Sequence, residues 1–440
     1  MEAKMIIGIR RADKNKWERR TPLIPDDIKY LKEKLGITTL VQPSEIRAYN
    51  NEQYSAAGAE VVEDIQSANI IFAVKEIPLH FYREGKTYVF FSHTIKGQSY
   101  NMPLLKKMME LKCNLIDYER IVDESNRRLI FFGKYAGLAG MVETLHALGE
   151  KLKLRGYQTP FEKIKQAYQY SSIDEAKQEL KKIGEEIKSG GIPEDLQPLV
   201  IGFAGYGHVS QGAQEIIDIL PIKSIKPEDL NNLKKFSKEE ISKNLFKVVF
   251  KEEDLVKPLK GLFQLQDYYD YPEKYEGKFE GFIPNLTVIL NCIYWTNRYP
   301  RLVTKKFLRS SNFLNSKQKL LVIGDISIDV NGAIEITYKA TDPGNAYFTY
   351  KPANDKFEDG IQKDGITVMA VDNLPCEFPK ESSKEFSSVL KNYVNEIVNE
   401  DFNKPFEELT LSFPIKKALI LHKGELTKDY LYLKKYLTKV

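Results

Sequence analysis

Two residues able to move protons stand just past short apolar runs: Lys75 after residues 70–74 and His93 after residues 87–91. A lysine with an ordinary pKa near ~10.4 is a poor base at neutral pH, but burial and a neighbouring cation lower it by several units. Histidine begins in the range useful for proton transfer. On neighbouring strand ends the two would share the proton transfers of a carbonyl–amine condensation; the plainer reading is a surface lysine paired with Glu76 and a histidine bonded to local backbone. Arg20, in the run Glu18-Arg19-Arg20 ahead of Thr21-Pro22, sits near a helix start, and arginine clamps carboxylates through two parallel bonds. A salt-bridged surface turn would use the same residues.

The other chemistry-bearing feature is a glycine turn. Residues 199–204 form a buried-strand run, Gly205 permits a tight turn, Gly207 lets backbone approach a pyrophosphate, and Ser210 opens a helix whose amides can face the anion. Gly212 and Ala213 would let that helix lie close to the sheet. The alternative is an ordinary strand-to-helix turn. An NAD-preferring site carries an acid about 20 residues further on. That stretch reads Ile222-Lys223-Ser224-Ile225-Lys226, with Glu228 and Asp229 following, so Lys223, Ser224 and Lys226 favour the 2′-phosphate of NADP(H), with NAD(H) the second choice.

Positioning such groups requires strand ends, and the pattern supplies them. Short apolar runs at 5–9, 39–42, 70–74, 87–91 and 114–116 alternate with amphipathic stretches, as in a parallel sheet flanked by helices. One helix is well punctuated: Pro25 in its first turn, Asp26 and Asp27 at its positive end, and Gly36 to stop it. A second series follows, with helices at 136–154, 173–188 and 209–220 and strands at 199–204, 286–290, 320–323 and 366–371. The fold class is therefore α/β, with two Rossmann-like parallel-sheet lobes and a cleft between them. Ligands of such sheets bind beyond the carboxyl ends of the strands. There the first series presents Arg10, Lys75, Glu76, His93 and Glu119, and the second the glycine turn, Asn291, Asp325 and Asn373.

Composition narrows the classes. The 440 residues carry 65 Lys and Arg against 61 Asp and Glu, a net charge of +4 that marks neither a nucleic-acid binder nor a disordered chain. No run approaches the roughly 18 apolar residues of a membrane helix, and no presequence pattern precedes residue 5, so the expected compartment is the cytoplasm. Three scattered cysteines and five histidines make no metal spacing. No coiled-coil seam speaks to self-association, which is left open.

At these residues the chain resembles the alanine dehydrogenase and saccharopine dehydrogenase superfamily, and within it the lysine-ketoglutarate reductases that form half of the bifunctional enzyme of lysine degradation. The matching segments include Ile7-Gly8-Ile9-Arg10-Arg11, Trp17-Glu18-Arg19-Arg20-Thr21-Pro22, Val74-Lys75-Glu76, Phe91-Ser92-His93-Thr94-Ile95-Lys96, Gly207-His208-Val209-Ser210-Gln211-Gly212, Tyr294-Trp295, Gly324-Asp325-Ile326-Ser327-Ile328-Asp329 and Val371-Asp372-Asn373-Leu374-Pro375. The resemblance implies NADPH-dependent reductive condensation of L-lysine with 2-oxoglutarate to saccharopine. It also implies Lys75 and His93 as the acid–base pair and Arg20 as a substrate-carboxylate ligand, with Lys96 and Glu119 as accessory members. Arg128 is assigned with Arg20 and Lys96 to orient the substrate carboxylates. One of Asp325 and Asp329, together with Asn373, would approach the nicotinamide and its ribose.

The resemblance further implies a substrate lobe of residues 1–135 with 376–440 and a nucleotide lobe of 136–375, the latter with a helical insertion at 156–198. A chain ending near the close of the reductase half is expected to be monofunctional. An alanine-dehydrogenase-like enzyme is the second reading, and a non-catalytic dinucleotide-binding module the third.

Overall fold

The computed structural model describes residues 5–316 and 319–438. Residues 1–4 and 439–440, at the outer ends of the expected substrate lobe, lie outside the described residues. The chain folds into two compact units, one built from the residues up to Phe132 together with those from Pro379 onward, the other from Gly133–Phe378.

In the first unit the described residues form an eight-stranded sheet in the order Glu425–Leu426, Leu419–His422, Asn114–Asp117, Thr87–Phe90, Ile70–Phe72, Ile6–Ile9, Thr38–Val41, Glu60–Val61. The six strands from Asn114–Asp117 to Glu60–Val61 are parallel, and the two C-terminal strands join antiparallel. Register aligns Ile9, Phe72, Val89 and Ile116 in one row, so the residues that follow them emerge along a single edge.

The helix Pro25–Leu35 ends on Gly36 in the left-handed region at φ 66°, where glycine meets no steric penalty. Its N-cap, Ile24, has no side chain that could cap. Helix Pro379–Asn399 braces the approach to it: Ile24 N–H donates to Ser387 Oγ at 3.0 Å, Thr21 N–H donates to Ser383 Oγ at 3.0 Å, and Lys391 pairs with Asp27 at 2.7 Å.

The second sheet, again eight-stranded among the described residues, runs Lys356–Asp359, Tyr347–Lys351, Ile366–Met369, Val322–Asp325, Val288–Asn291, Val200–Ala204, Leu245–Phe250, Ile222–Ile225. Alternate residues of Val200–Ala204 pack to opposite faces: Ile201 and Phe203 join one core cluster, Val200 and Ala204 another. This explains why the run is apolar throughout. Phe250, Ala204, Asn291 and Asp325 fall in one row at the strand ends.

Two expectations need correction here. The strand beside Val200–Ala204 is Leu245–Phe250, and Ile222–Ile225 lies outside it at the sheet edge. Gly212 does not serve contact with the sheet: a Cβ there would collide with the Lys134 carbonyl, and one at Gly137 with the Val209 carbonyl. Both glycines bring helix His208–Ile217 against helix Gly133–Leu154. Within 156–198 the charged stretch folds as helix Ile173–Gly190, with Ile173, Ala176, Leu180, Ile183 and Ile187 buried in a stripe.

Candidate active site

In the first unit the strand-end row gathers most of the expected residues. Lys75 is half-buried three residues past Ile70–Phe72, and its pKa is lowered, first by burial and then by the charge of Arg20, with Glu18 and Glu76 pulling it back. His93 follows Thr87–Phe90 and holds a left-handed backbone at φ 51°. Its carbonyl accepts from Asn101 Nδ2 at 3.1 Å, and its Nδ1 lies 2.6 Å from Glu76 Oε1.

Burial pushes the Glu76 carboxyl up, but the hydrogen bond and charge of His93 and the ammonium of Lys14 outweigh it and hold the group at about 2. Glu76 is therefore ionised at neutral pH and His93 Nδ1 must donate to it. Nε2 is left as the atom that exchanges a proton.

Behind His93, Asp117 anchors the loop. Its Oδ2 accepts from Ser92 N–H at 3.0 Å and from Ser92 Oγ, and its Oδ1 accepts from Glu119 N–H at 2.8 Å. Complete burial raises its carboxyl to about 6 despite these donors.

The expected anion ligands carry partners of their own. Arg20, 3 % exposed, forms a two-bond pair with Glu18 at 2.8 and 2.7 Å and lies 4.2 Å over the Phe132 ring. The salt-bridged reading of that run is thus realised, although buried rather than at the surface. Arg128 pairs with Glu119. Lys96 is exposed and in no ion pair with a described residue. Glu18 was expected in a salt-bridged turn and Glu76 beside Lys75; the structure pairs Glu18 with Arg20, and Glu76 with His93 and Lys14.

The second unit supplies a cradle for a dinucleotide. Gly205, at φ 94°, donates its N–H to the Phe250 carbonyl at 3.0 Å and closes the turn against the neighbouring strand. Gly207 has φ −72°, and a Cβ built there meets no heavy atom within 4 Å. Nothing in the protein's own packing requires glycine at 207; what a side chain would occupy is the space outside the turn. Gly207 also caps helix His208–Ile217 without a side-chain bond, so the positive helix end faces that space. These features fit a pyrophosphate.

Several cofactor-side expectations are altered. Ser210 is fully buried and its Oγ accepts from Gln214 Nε2 at 3.0 Å, so it contributes helix packing. Ser224 and Lys226 belong to the outermost strand and its end, two strands from the turn. Ile225 pairs with Val248 while Ala204 pairs with Phe250, which sets them back along the sheet as well. The rule of sequence distance failed because the chain visits the edge before returning to the neighbouring place. The residues that follow the neighbouring strand are Lys251 and Glu252. Glu252 Oε1 accepts from Tyr269 Oη at 2.7 Å, and its charge pushes the Tyr206 hydroxyl up. The run Leu245-Phe246-Lys247-Val248-Val249-Phe250 was a readable strand signal.

Asp325 is completely buried and accepts from Asn291 Nδ2 at 2.8 Å, Thr337 Oγ1 at 2.6 Å and Ile328 N–H at 3.2 Å; burial raises its carboxyl to about 6. It fastens the loop that carries Asp329, which is itself half-exposed, as is Asn373. No group of metal-ligating side chains occurs among the described residues, and no helix there is long and apolar enough to cross a membrane.

Comparison with known proteins agrees with this arrangement. A family model described as Alanine dehydrogenase/PNT, N-terminal domain, matches residues 8–139, and its C-terminal counterpart matches residues 184–429. The alpha-aminoadipic semialdehyde synthase of Arabidopsis thaliana is 38% identical over 97% of this chain and 41% of its own length. The mitochondrial mouse protein of the same name is 35% identical over 98% of this chain and 48% of its own length. The chain thus spans less than half of each of these relatives. Saccharopine dehydrogenase [NAD(+), L-lysine-forming] of Neurospora crassa is 25% identical over 85% of this chain and 86% of its own length. Among solved structures an L-alanine dehydrogenase superposes with a TM-score of 0.62 at 17% identity, covering 99% of both chains. With two parallel-sheet units, and a family match on each, the chain belongs to the alanine dehydrogenase/PNT family.

Proposed function

We propose that this chain catalyses the NADPH-dependent reductive condensation of L-lysine with 2-oxoglutarate to saccharopine. The observation that carries this reading is the Lys75, Glu76 and His93 group at the ends of two neighbouring strands: an ammonium with a lowered pKa, and an imidazole whose tautomer is fixed by an ionised carboxylate. Amine addition to a ketone needs a base to take the amine proton and an acid to protonate the departing hydroxyl. Neutral Lys75 serves as that base. His93, protonated at Nε2, serves as that acid, and Glu76 steadies the imidazolium. A dinucleotide held at the glycine turn would supply hydride to reduce the imine.

Two substrates bring three carboxylates between them, and of Arg20, Lys96 and Arg128 only Lys96 is in no ion pair with a described residue. Arg20 and Arg128 would act as preformed pairs with Glu18 and Glu119, orienting polar substrate groups while adding little net charge. The half-exposed Asp329 and Asn373 are the residues proposed for the nicotinamide ribose.

NADPH remains the proposed donor, with Lys251 taking the place first given to Lys226. It is exposed beside the turn, whereas the Glu252 carboxylate is engaged by Tyr269. In a matrix of NADH and NADPH crossed with lysine, ammonia or no amine, each with 2-oxoglutarate or pyruvate, turnover is expected with NADPH, lysine and 2-oxoglutarate. Lys75→Met and His93→Gln should each lower kcat by about 10²–10⁴; unchanged turnover in both removes the acid–base assignment. Lys251→Ala should narrow the preference for NADPH over NADH by roughly tenfold, the worth of one charge-assisted phosphate contact.

A further inference from the structure

The first unit contains a second concavity that the proposed reaction does not use. It has a volume of about 790 Å³ and lies between the segment 403–407 and the hairpin 422–428. Its place in the sheet separates it from the Lys75 group. Leu419–His422 runs antiparallel to Asn114–Asp117, Lys423 N–H donates to Asn114 Oδ1 at 2.8 Å, and Gly424 N–H donates to the Cys113 carbonyl at 2.9 Å. The hairpin tip therefore sits at the amino end of the parallel strands, opposite the edge that carries Lys75 and His93.

The lining is cationic and unbalanced. Lys404, Lys416, Lys423 and Lys428 face the two carboxylates Glu407 and Glu425 across one space. None of the four lysines is in an ion pair with a described residue, although Lys417 in the same stretch pairs with Asp429 at 2.6 Å. Lys416 is half-buried and held in place: its Nζ donates to the carbonyls of Leu409 at 3.1 Å and Glu407 at 3.3 Å and lies 5.2 Å over the Phe406 ring. One N–H of its three is left over. Lys423 Nζ is tethered to the Asn403 carbonyl at 3.1 Å and keeps two. The buried His422 donates through Nε2 to the Phe402 carbonyl at 3.0 Å and closes one wall.

Four ammonium groups gathered with only two carboxylates leave an excess of positive charge, and a multivalent anion relieves that excess while taking up the unused N–H groups. The donor set indicates which anion. No arginine lines the space, so the paired bonds that select carboxylates are missing, while compact ammonium charges suit phosphate oxygens. The volume is that of a small-molecule site, about 300–1,000 Å³ in general, and exceeds the need of a lone phosphate. Phe406, Pro405 and Leu426 give an apolar wall for an organic group. We propose that this concavity is a binding site for a small phosphorylated organic anion carrying at least two negative charges, separate from the dinucleotide cradle and from the Lys75 group.

The test is calorimetric titration of the full chain in saturating NADPH, which blocks the dinucleotide cradle, with ADP, inorganic pyrophosphate and citrate as probes. Saturable binding of ADP and pyrophosphate is expected, weakened about tenfold or more in Lys404→Ala/Lys423→Ala, the loss of two charge-assisted contacts. Unaltered circular dichroism in that variant reports that its fold is intact, since both side chains are exposed. Absence of saturable binding at millimolar probe, or binding equal in wild type and variant, overturns the proposal. Citrate binding as tightly as pyrophosphate overturns the assignment to phosphate.

Discussion

Glu76 decides what His93 can do. Without a carboxylate at Nδ1 the imidazole is free to take either tautomer and either ring orientation, and Nε2 loses the partner that stabilises its protonated form. Glu76→Gln keeps the shape but not the charge, and should lower kcat by about 10–100-fold while shifting the acidic limb of its pH profile, as measured by initial rates across pH. The same residue carries a stability signature. A carboxyl held at about 2, below the ordinary value of about 4.3, stabilises the folded state fully above about pH 4.3. That contribution fades as pH falls toward about 2, so denaturant midpoints of wild type and Glu76→Gln should differ at neutral pH and converge in strong acid. Lys75 and His93 were readable because a strand end is a place with chemical meaning. The pairing of Glu76 was not, because a carboxylate next to a lysine in the sequence gives no sign that it turns to an imidazole 17 positions further on.

At the level of elements, local punctuation was legible and long-range pairing was not. Helix Pro25–Leu35 announced itself through Pro25, Asp26, Asp27 and Gly36, yet the amides of Thr21 and Ile24 just ahead of it donate to serines more than 350 positions away in the chain, |i−j| being 362 and 363. No local pattern encodes that. Ser387→Ala removes an acceptor for Ile24 N–H and a donor to Asp27, and should cost about 1–2 kcal/mol by urea unfolding. Alternation of strands and helices identified a parallel α/β fold, and the family resemblance implied the alanine-dehydrogenase-like plan that the superposition bears out. It could not tell that the strand after the glycine helix would pass to the sheet edge, leaving the neighbouring place to Leu245–Phe250. Spacing rules for cofactor acids assume the usual strand order, and here they pointed to Ser224 and Lys226. The edge hairpins, Tyr347–Lys351 with Lys356–Asp359 and Leu419–His422 with Glu425–Leu426, also went unread, since short antiparallel additions carry little periodicity of their own.

The whole molecule divides unequally along the chain. Gly133–Phe378 is one uninterrupted stretch with its own sheet and cores, whereas the first unit needs residues from both ends of the sequence. An isolated 133–378 segment should therefore unfold in one cooperative transition and bind dinucleotide, as followed by calorimetry. A segment ending at Phe378 should show that transition and little cooperative unfolding from its first 132 residues, which would lack helix Pro379–Asn399 and the two outer strands.

That discontinuity has a bearing on synthesis. On the ribosome the early residues emerge first, yet the strand Asn114–Asp117 keeps an open hydrogen-bonding rim until Leu419–His422 has been translated. The nascent chain must shelter an unfinished half while the middle folds, and an unfinished parallel sheet is the species most prone to clump. Cells making this protein at a high rate would need their holding chaperones for the opening third of the polypeptide, long after that third has left the exit tunnel.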